Sequence, residues 1–307
     1  CVERKVNFAV RTGSINAGHT CFYEGKPYKL QQIPVGWVNP ETMLVIGAGA
    51  YIHPETLARE VALIDAATGE NVRERLFIDQ RAALHLDIHH QKEQEAKLHE
   101  RMGSTGEGVA AAIADKMERR ADYQLFSQSV WAKDYQIVDT VKMLNDAYDS
   151  GQQILLEGTQ GTMLDFHLGN YPFVTSRQVI ATAWATEAGL SPALEYEVIL
   201  VVRTFPIRVA GNSGPLPGEI AWTDFAHIVN ERRERFGLEA LVAPSAIRHF
   251  EKATQGVAQE LGLPSARPEQ WTPEERAQHS EGLSNLHKKA FEKLDEFSLK
   301  EVRKFFE

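Results

Sequence analysis

Gln153-Ile154-Leu155-Leu156-Glu157-Gly158-Thr159-Gln160-Gly161-Thr162-Met163-Leu164-Asp165 runs on through Gly169-Asn170-Tyr171-Pro172-Phe173-Val174-Thr175-Ser176-Arg177, and the reading of the whole chain turns on this stretch. Residues 153–157 read as a strand whose apolar character suits burial on both faces. The strand ends in a glycine-rich turn carrying Gln160, an amide able both to donate to and accept from a purine edge. A second turn then delivers Thr175 and Ser176 to a helix start, where backbone amides can receive a phosphate. A purely structural role accounts poorly for the run as a whole.

Other short apolar runs surround this one. Residues 6–10, 43–46, 75–78 and 198–203 are candidate strands, and helical patterns lie between them. The helices are predicted over 54–65, with a proline in the first turn, and over 86–101, 108–121 and 133–148. Thr223 or Asp224 can cap a further helix that runs to Phe236 and stops at Gly237. Strands alternating with helices predict an α/β fold with a largely parallel central sheet flanked by helices. Residues 1–237 read as this core. Residues 238–307 read as a mostly helical C-terminal part of the same domain, in which Thr272-Pro273-Glu274-Glu275 marks a helix start.

A formal charge of −9 argues against general affinity for a nucleic-acid backbone, which calls for an excess of lysine and arginine. A single phosphate is another matter, since a few amides and one or two arginines hold it inside an acidic protein. The two cysteines, Cys1 and Cys21, make neither a disulfide framework nor a metal-site spacing. No apolar run approaches the length that spans a bilayer, and no secretory leader is visible. The expected location is the cytoplasm, with no membrane partner.

Two further segments carry chemistry. Arg11-Thr12-Gly13-Ser14-Ile15-Asn16-Ala17-Gly18-His19-Thr20 directly follows a strand, where parallel sheets bind ligands, and its histidine is suited to acid–base work. Gly103-Ser104-Thr105-Gly106-Glu107-Gly108 opens a helix that carries Arg119 and Arg120. Each alone reads as readily as a structural turn or an ordinary capped helix.

Together, and in this order, the three segments resemble the adenylosuccinate synthetases, a fold related to the P-loop NTPases. The resemblance extends through Pro34-Val35-Gly36, Val45-Ile46-Gly47-Ala48-Gly49 and Phe205-Pro206-Ile207-Arg208-Val209-Ala210-Gly211-Asn212-Ser213-Gly214-Pro215. It implies a carbon–nitrogen ligase. A nucleoside triphosphate phosphorylates the purine O6, and the aspartate amine then displaces that phosphate. By the same resemblance His19 contacts the phosphoryl group in transfer, the Gly18 carbonyl helps hold Mg²⁺, and Gln160 orients the purine. Asn16, Thr105 and Thr175 would bind the acceptor's 5′-phosphate, and Val209 the ribose. Arg119 would reach the phosphate in the neighbouring subunit, which implies a homodimer.

The sequence also departs from the family. A Gly-Gly-Gln-x-Gly-Asp-Glu-Gly-Lys-Gly loop does not occur before Arg11, no Thr-Thr-x-Thr-Gly-Arg loop follows Gly237, and no Thr-Lys-x-Asp guanine reader is found. Loops of the first two kinds are mobile without ligand, and the expectation is that they lie outside this sequence rather than being lost. Ser14, the Thr175–Gln178 run and the stretch around Asn212 are worded like the phage branch, which acts on dGMP with ATP or dATP. In that reading the Ser14 hydroxyl or a neighbouring carbonyl faces the guanine 2-amino group. The alternatives are an archaeal-type enzyme using IMP and GTP, and a nucleotide-binding regulator without catalysis whose C-terminal helices meet a partner.

Overall fold

A computed structural model describes residues 5–201, 220 and 222–306. Val209 and Asn212 lie outside these residues, so their expected roles have no structural counterpart here. The strands are β1 (Phe8–Arg11), β2 (His19–Tyr23), β3 (Lys26–Leu30), β4 (Met43–Ile46), β5 (Tyr51–Ile52), β6 (Leu76–Asp79), β7 (Ala83–Leu84), β8 (Gln136–Val138) and β9 (Ile154–Glu157). The first helices are α1 (Pro54–Thr68), α2 (Asp87–Glu95), α3 (Leu98–Met102), α4 (Val109–Glu118), α5 (Thr140–Asp149) and α6 (Ala181–Glu187). After them come α7 (Trp222–Arg235), α8 (Pro244–Glu260), α9 (Pro273–Gln278), α10 (Ser280–Glu292) and α11 (Glu296–Phe306).

The central sheet has the order β8-β6-β4-β1-β9, and every pairing in it is parallel. The expected α/β architecture is therefore the observed one. Ala9, Leu44, Ile46, Leu76 and Ile78 pack on one face with Leu57, Val61 and Ile64 of α1. Val10 and Val45 face the other way, onto Leu144 of α5 and Ala185 of α6. Alternate residues of each strand thus serve opposite faces, as the two-residue period of a strand requires. Because β1 lies between β4 and β9, the loops leaving β1 and β9 emerge side by side at the C-terminal edge, where open α/β sheets bind ligands.

Three expected elements differ. Residues 133–148 are not one helix, because residues 136–138 form β8 and Asp139 caps α5 by accepting from the Lys142 amide at 3.1 Å. Ile137 and Val138 favour the pleated surface, and an Asp ahead of a helical run is a start signal. Residues 86–101 split at Lys97, whose φ of 52° ends α2 before α3 begins. A stretch so rich in Gln, Glu and Lys has no continuous apolar face to hold one long helix. Residues 198–201 make no strand and expose Leu200 and Val201, with no partner strand among the described residues, while residues 202–203 lie outside them. A strand without a neighbour has nothing to satisfy its amides.

Chain contacts divide the molecule into two compact units. One holds residues 5–97 and 105–201 and carries the sheet; the other holds residues 98–104 and 220–306. In the helical unit α8 is the centre. Ala246, Ile247, Phe250 and Val257 pack against Leu286 and Ala290 of α10 and Val302 of α11. Asn230 of α7 ties down the chain that follows Gly237, accepting from the Leu241 amide and donating to the Val242 carbonyl, both at 2.8 Å. Thr272 and Glu275 form the reciprocal cap expected at the start of α9.

Candidate active site at the ends of β1 and β9

Five charged side chains organise the end of the sheet. Arg11, the last residue of β1, is 1 % exposed and donates to the Gln31 carbonyl at 2.7 Å and the Ala17 carbonyl at 2.5 Å. Its NH1 lies 3.8 Å from Oε2 of Glu157, the last residue of β9. Burial lowers the Arg11 pKa, and Glu157 and Glu60 act against that shift. The Glu60 carboxylate in turn accepts from the Gln31, Gln32 and Ile33 amides. Arg11 thereby holds the chain between β1 and β2, and Glu60 the chain that follows β3.

Arg177 makes a second clamp. Its NH1 donates to the Thr12 carbonyl and to Ser14 Oγ, each at 3.0 Å. Its NH2 donates to the Gly49 carbonyl at 2.9 Å and to Glu187 at 2.6 Å. Glu187 also accepts from the Thr12 hydroxyl at 2.8 Å, and the guanidinium lies over the Trp184 ring at 5.3 Å. The three loops ending β1, β4 and the Thr175-Ser176 turn are thus fastened to one arginine. Ser14 is 1 % exposed, so its hydroxyl oxygen is part of this clamp and not a surface group.

His19 opens β2 beside Glu157. Its Nδ1 is 3.1 Å from Glu157 Oε2, within ion-pair distance but without hydrogen-bond alignment. Nε2 is buried and has no partner among the described residues. The Val35 amide donates to Glu157 Oε1 at 2.6 Å, which fixes the carboxylate against the imidazole. A buried imidazole nitrogen left unpaired is costly and calls for an explanation.

Three residues beyond Glu157, Gln160 adopts φ 63° and is exposed. Its Nε2 donates to the Thr175 hydroxyl at 3.1 Å, so the two expected nucleotide-binding residues meet. Gly158 lets the Trp184 ring pack against this turn, because a Cβ there would stand 2.7 Å from Trp184 Nε1. Asp165 holds the second turn by accepting from the His167, Leu168 and Val179 amides at 2.9, 3.1 and 2.6 Å. Burial would raise its pKa, and those amides outweigh burial and lower it.

The remaining expected residues are more dispersed. Asn16 is half-buried and Gly18 exposed in the loop that ends at His19. Thr105 is exposed in the turn before α4, and Arg119 is exposed just past its end, with φ 53°. No hydrogen bond or ion pair among the described residues joins Thr105 or Arg119 to His19 or Gln160. The residues that sequence reasoning did not single out are Glu157, Glu187 and Glu60. The signal for Glu157 was present, a charged residue closing an otherwise apolar strand at a ligand-binding edge.

The family model of adenylosuccinate synthetase matches residues 1–136 and 121–241. This chain belongs to the adenylosuccinate synthetase family. Among curated members of the family, the Pyrococcus horikoshii adenylosuccinate synthetase is 35% identical over 230 residues, 72% of this chain and 66% of that protein. The Methanocaldococcus jannaschii adenylosuccinate synthetase is 35% identical over 251 residues, 77% of this chain and 69% of that protein. A solved structure of the family's fold, the cyanophage S-2L succinoaminodeoxyadenylate synthetase bound to dGMP and dATP as an energy donor, aligns with a TM-score of 0.54 at 28% identity. That alignment covers 62% of this chain and 53% of the cyanophage protein. This adenylosuccinate synthetase family chain thus spans a little under two thirds of the Pyrococcus protein and about half of the cyanophage one. No helix among its described residues is long and apolar enough to cross a membrane.

Proposed function

We propose that this chain belongs to a ligase that joins L-aspartate to a purine mononucleotide, with dGMP as acceptor and ATP or dATP as donor. The observation that carries the reading is His19, a half-buried imidazole beside Glu157 whose buried Nε2 is unpaired among the described residues, on the same sheet edge as the Gln160–Thr175 pair. In its protonated form the ring pairs with Glu157 through Nδ1 and offers Nε2–H to a phosphoryl oxygen, at the place where charge develops in transfer. The O6–P bond forms as the bond from the γ-phosphorus to the bridging oxygen of the nucleoside diphosphate breaks. The aspartate amine then attacks C6, and inorganic phosphate leaves with the O6 oxygen. Gln160 supplies the amide that reads the purine, and Asn16, Thr105 and Thr175 supply donors for the 5′-phosphate.

Magnesium fits the reading. A hard cation of this kind takes few protein oxygens and keeps waters and substrate phosphates as its other ligands. By the family resemblance the Gly18 carbonyl, on an exposed residue next to His19, would be the protein oxygen that holds it. When bound, the ion supplies charge neutralisation on the donor's phosphates.

The dGMP reading rests on the cyanophage relative with its bound dGMP and dATP; Ser14, expected to face the guanine amino group, is instead buried with its hydroxyl accepting from Arg177, which leaves a neighbouring backbone carbonyl as the acceptor. A guanine amino group left without an acceptor in a closed pocket would cost about 1–3 kcal/mol. A second reading, IMP with GTP, is favoured by the higher identity to the two archaeal enzymes. The deciding measurement gives the encoded protein aspartate and Mg²⁺ and compares dGMP with IMP and ATP with GTP. Preference for dGMP with ATP or dATP supports the first reading, and preference for IMP with GTP replaces it. Tight mononucleotide binding without ligation by any pair would make the chain a regulator instead.

The active unit in this proposal is a homodimer in which Arg119 acts across the interface. Mixed dimers of Arg119→Ala and His19→Ala chains then regain part of the activity, because one hybrid site holds both groups.

A further inference from the structure

Away from the sheet edge, four imidazoles gather between the start of α1 and α2. His53 caps α1, Asp87 begins α2, His89 and His90 follow on that helix, and His85 lies just before it. His89 is already committed: its Nδ1 accepts from the Leu86 amide at 2.9 Å and its Nε2 lies 3.3 Å from Asp115. His53 is engaged through Nδ1 with Thr56 and through Nε2 with Asp87, whereas His85 and the Nε2 of His90 lack such partners. The ring nitrogens of His53 and His90 and the Asp87 carboxylate include one ligand atom each that all lie within 4.8 Å of one another. His53 Nε2 is 3.2 Å from Asp87 Oδ1.

We infer that His53, Asp87 and His90 form a binding site for a zinc-class divalent metal ion, separate from the magnesium of the phosphoryl chemistry. In a tetrahedral site with ligands roughly 2.0–2.1 Å from the ion, ligand atoms stand roughly 3.3–3.4 Å apart. The His53–Asp87 edge is already at that spacing. His90 closes onto it by a side-chain adjustment of the order of 1 Å, since the three atoms are within 4.8 Å.

An independent observation points the same way. His85 is 0 % exposed, and neither of its ring nitrogens makes a well-aligned hydrogen bond among the described residues, the Glu107 backbone being the one polar group that acts on it in this way. His90 Nε2 is likewise buried and unpartnered. The His85 ring lies 5.6 Å from that of His53 and 5.3 Å from that of His90. Buried polar atoms without partners are rare in folded proteins, and an ion held by His90 would give its ring a partner, with the His85 ring packed against both ligating imidazoles.

The surroundings suit coordination. His53 Nδ1 lies 3.1 Å from Thr56 Oγ1 and accepts from the Thr56 amide at 3.4 Å, so with Nε2 on the metal the proton would move to Nδ1, which would then donate to that hydroxyl in place of the cap bond. The Asp87 side chain is 83 % exposed while that of His53 is 10 % exposed, which leaves an entry path on one side. Two imidazoles and one carboxylate select zinc, nickel or copper over magnesium or calcium. A bound ion would fasten the first turn of α1 to α2, the helix that leads to the turn bearing Thr105.

The test uses tag-free protein stripped of metal with a chelator, titrated with Co²⁺ and then with Zn²⁺ in competition. The expected result is one equivalent of Co²⁺ with the intense visible absorption of a low-coordinate site, displaced by Zn²⁺ and not by excess Mg²⁺. Asp87→Ala and His90→Ala are each expected to weaken Zn²⁺ binding by at least roughly tenfold, and His167→Ala, an exposed histidine elsewhere, to leave it unchanged. Asp87→Asn, on an exposed side chain, carries the comparison if His90→Ala does not fold. No stoichiometric uptake, displacement by Mg²⁺, or unchanged affinity in the Asp87 variants would overturn the assignment.

Discussion

At the ends of β1 and β9 the chain buries Arg11 and Arg177 and spends Glu60, Glu157 and Glu187 on holding them and the loops around them. In the helical unit the core is Ala246, Ile247, Phe250, Val257, Leu286 and Val302, and the ion pair Asp224–Arg267 is part-buried at its periphery. Apolar packing of the second kind tolerates swaps that keep volume. A network of buried charges does not, because each member removed leaves its partner uncompensated. The same chain therefore carries one region in which identity is strict and another in which size suffices.

The comparison breaks most visibly at Arg177. Arg177→Ala strands Glu187 and frees the Thr12 and Gly49 carbonyls, and is expected to cost about 3–5 kcal/mol in urea unfolding. A loss no larger than that of an ordinary surface substitution would remove the clamp from the account. His19→Ala comes next and acts on function alone. It should fold and bind mononucleotide while ligation falls by about two orders of magnitude, roughly 2.7 kcal/mol, in steady-state assays. Near-normal turnover would make His19 a structural histidine.

Asp165 sharpens the comparison through pH. Its carboxyl pKa is lowered below the ordinary 3.8, so the folded state binds that proton less readily than the unfolded chain does. Its stabilisation is complete above that ordinary value and is lost as pH falls through the lower folded one. Asp165→Asn should therefore be less stable than the parent at neutral pH and converge on it in acid, and a constant difference across the range would refute the assignment. The smallest effect belongs to the helical unit, where Thr272→Ala should cost about 1 kcal/mol by loss of the cap on α9. It should leave nucleotide binding untouched, which ligand-dependent melting would check.

Much of this was legible in the sequence. The strands at Met43–Ile46 and Ile154–Glu157 announced themselves as short apolar runs bounded by turn residues, and Thr272-Pro273-Glu274-Glu275 stated its own cap. Gln160 and Thr175, fifteen residues apart, were read as one signature and are hydrogen-bonded. The β8 strand was hidden because Gln136–Val138 is brief and is followed at once by a strong helix, so helical spacing absorbed it. The clamp was hidden for another reason. Glu187 lies within an alanine-rich helix and Glu60 within α1, and only tertiary structure brings them to Arg177 and to the amides after β3. Periodicity reports which face of an element is apolar, and says nothing of a single carboxylate that reaches across to another strand's loop.

The register of β9 has a consequence for how the protein assembles. Phe8 pairs with Met43 on one side and with Ile154 on the other. The first pairing closes a short span of chain and the second a long one, and long-range parallel pairing is the slow part of folding. During synthesis β1, β4 and β6 are available to one another well before β9 leaves the ribosome. Glu157 arrives with β9, so the brace for His19 and the counter-charge for Arg11 are absent until then. The completion of the sheet and of this edge are one event, and a chain stalled before it would hold four of the five strands without the His19–Glu157 pair.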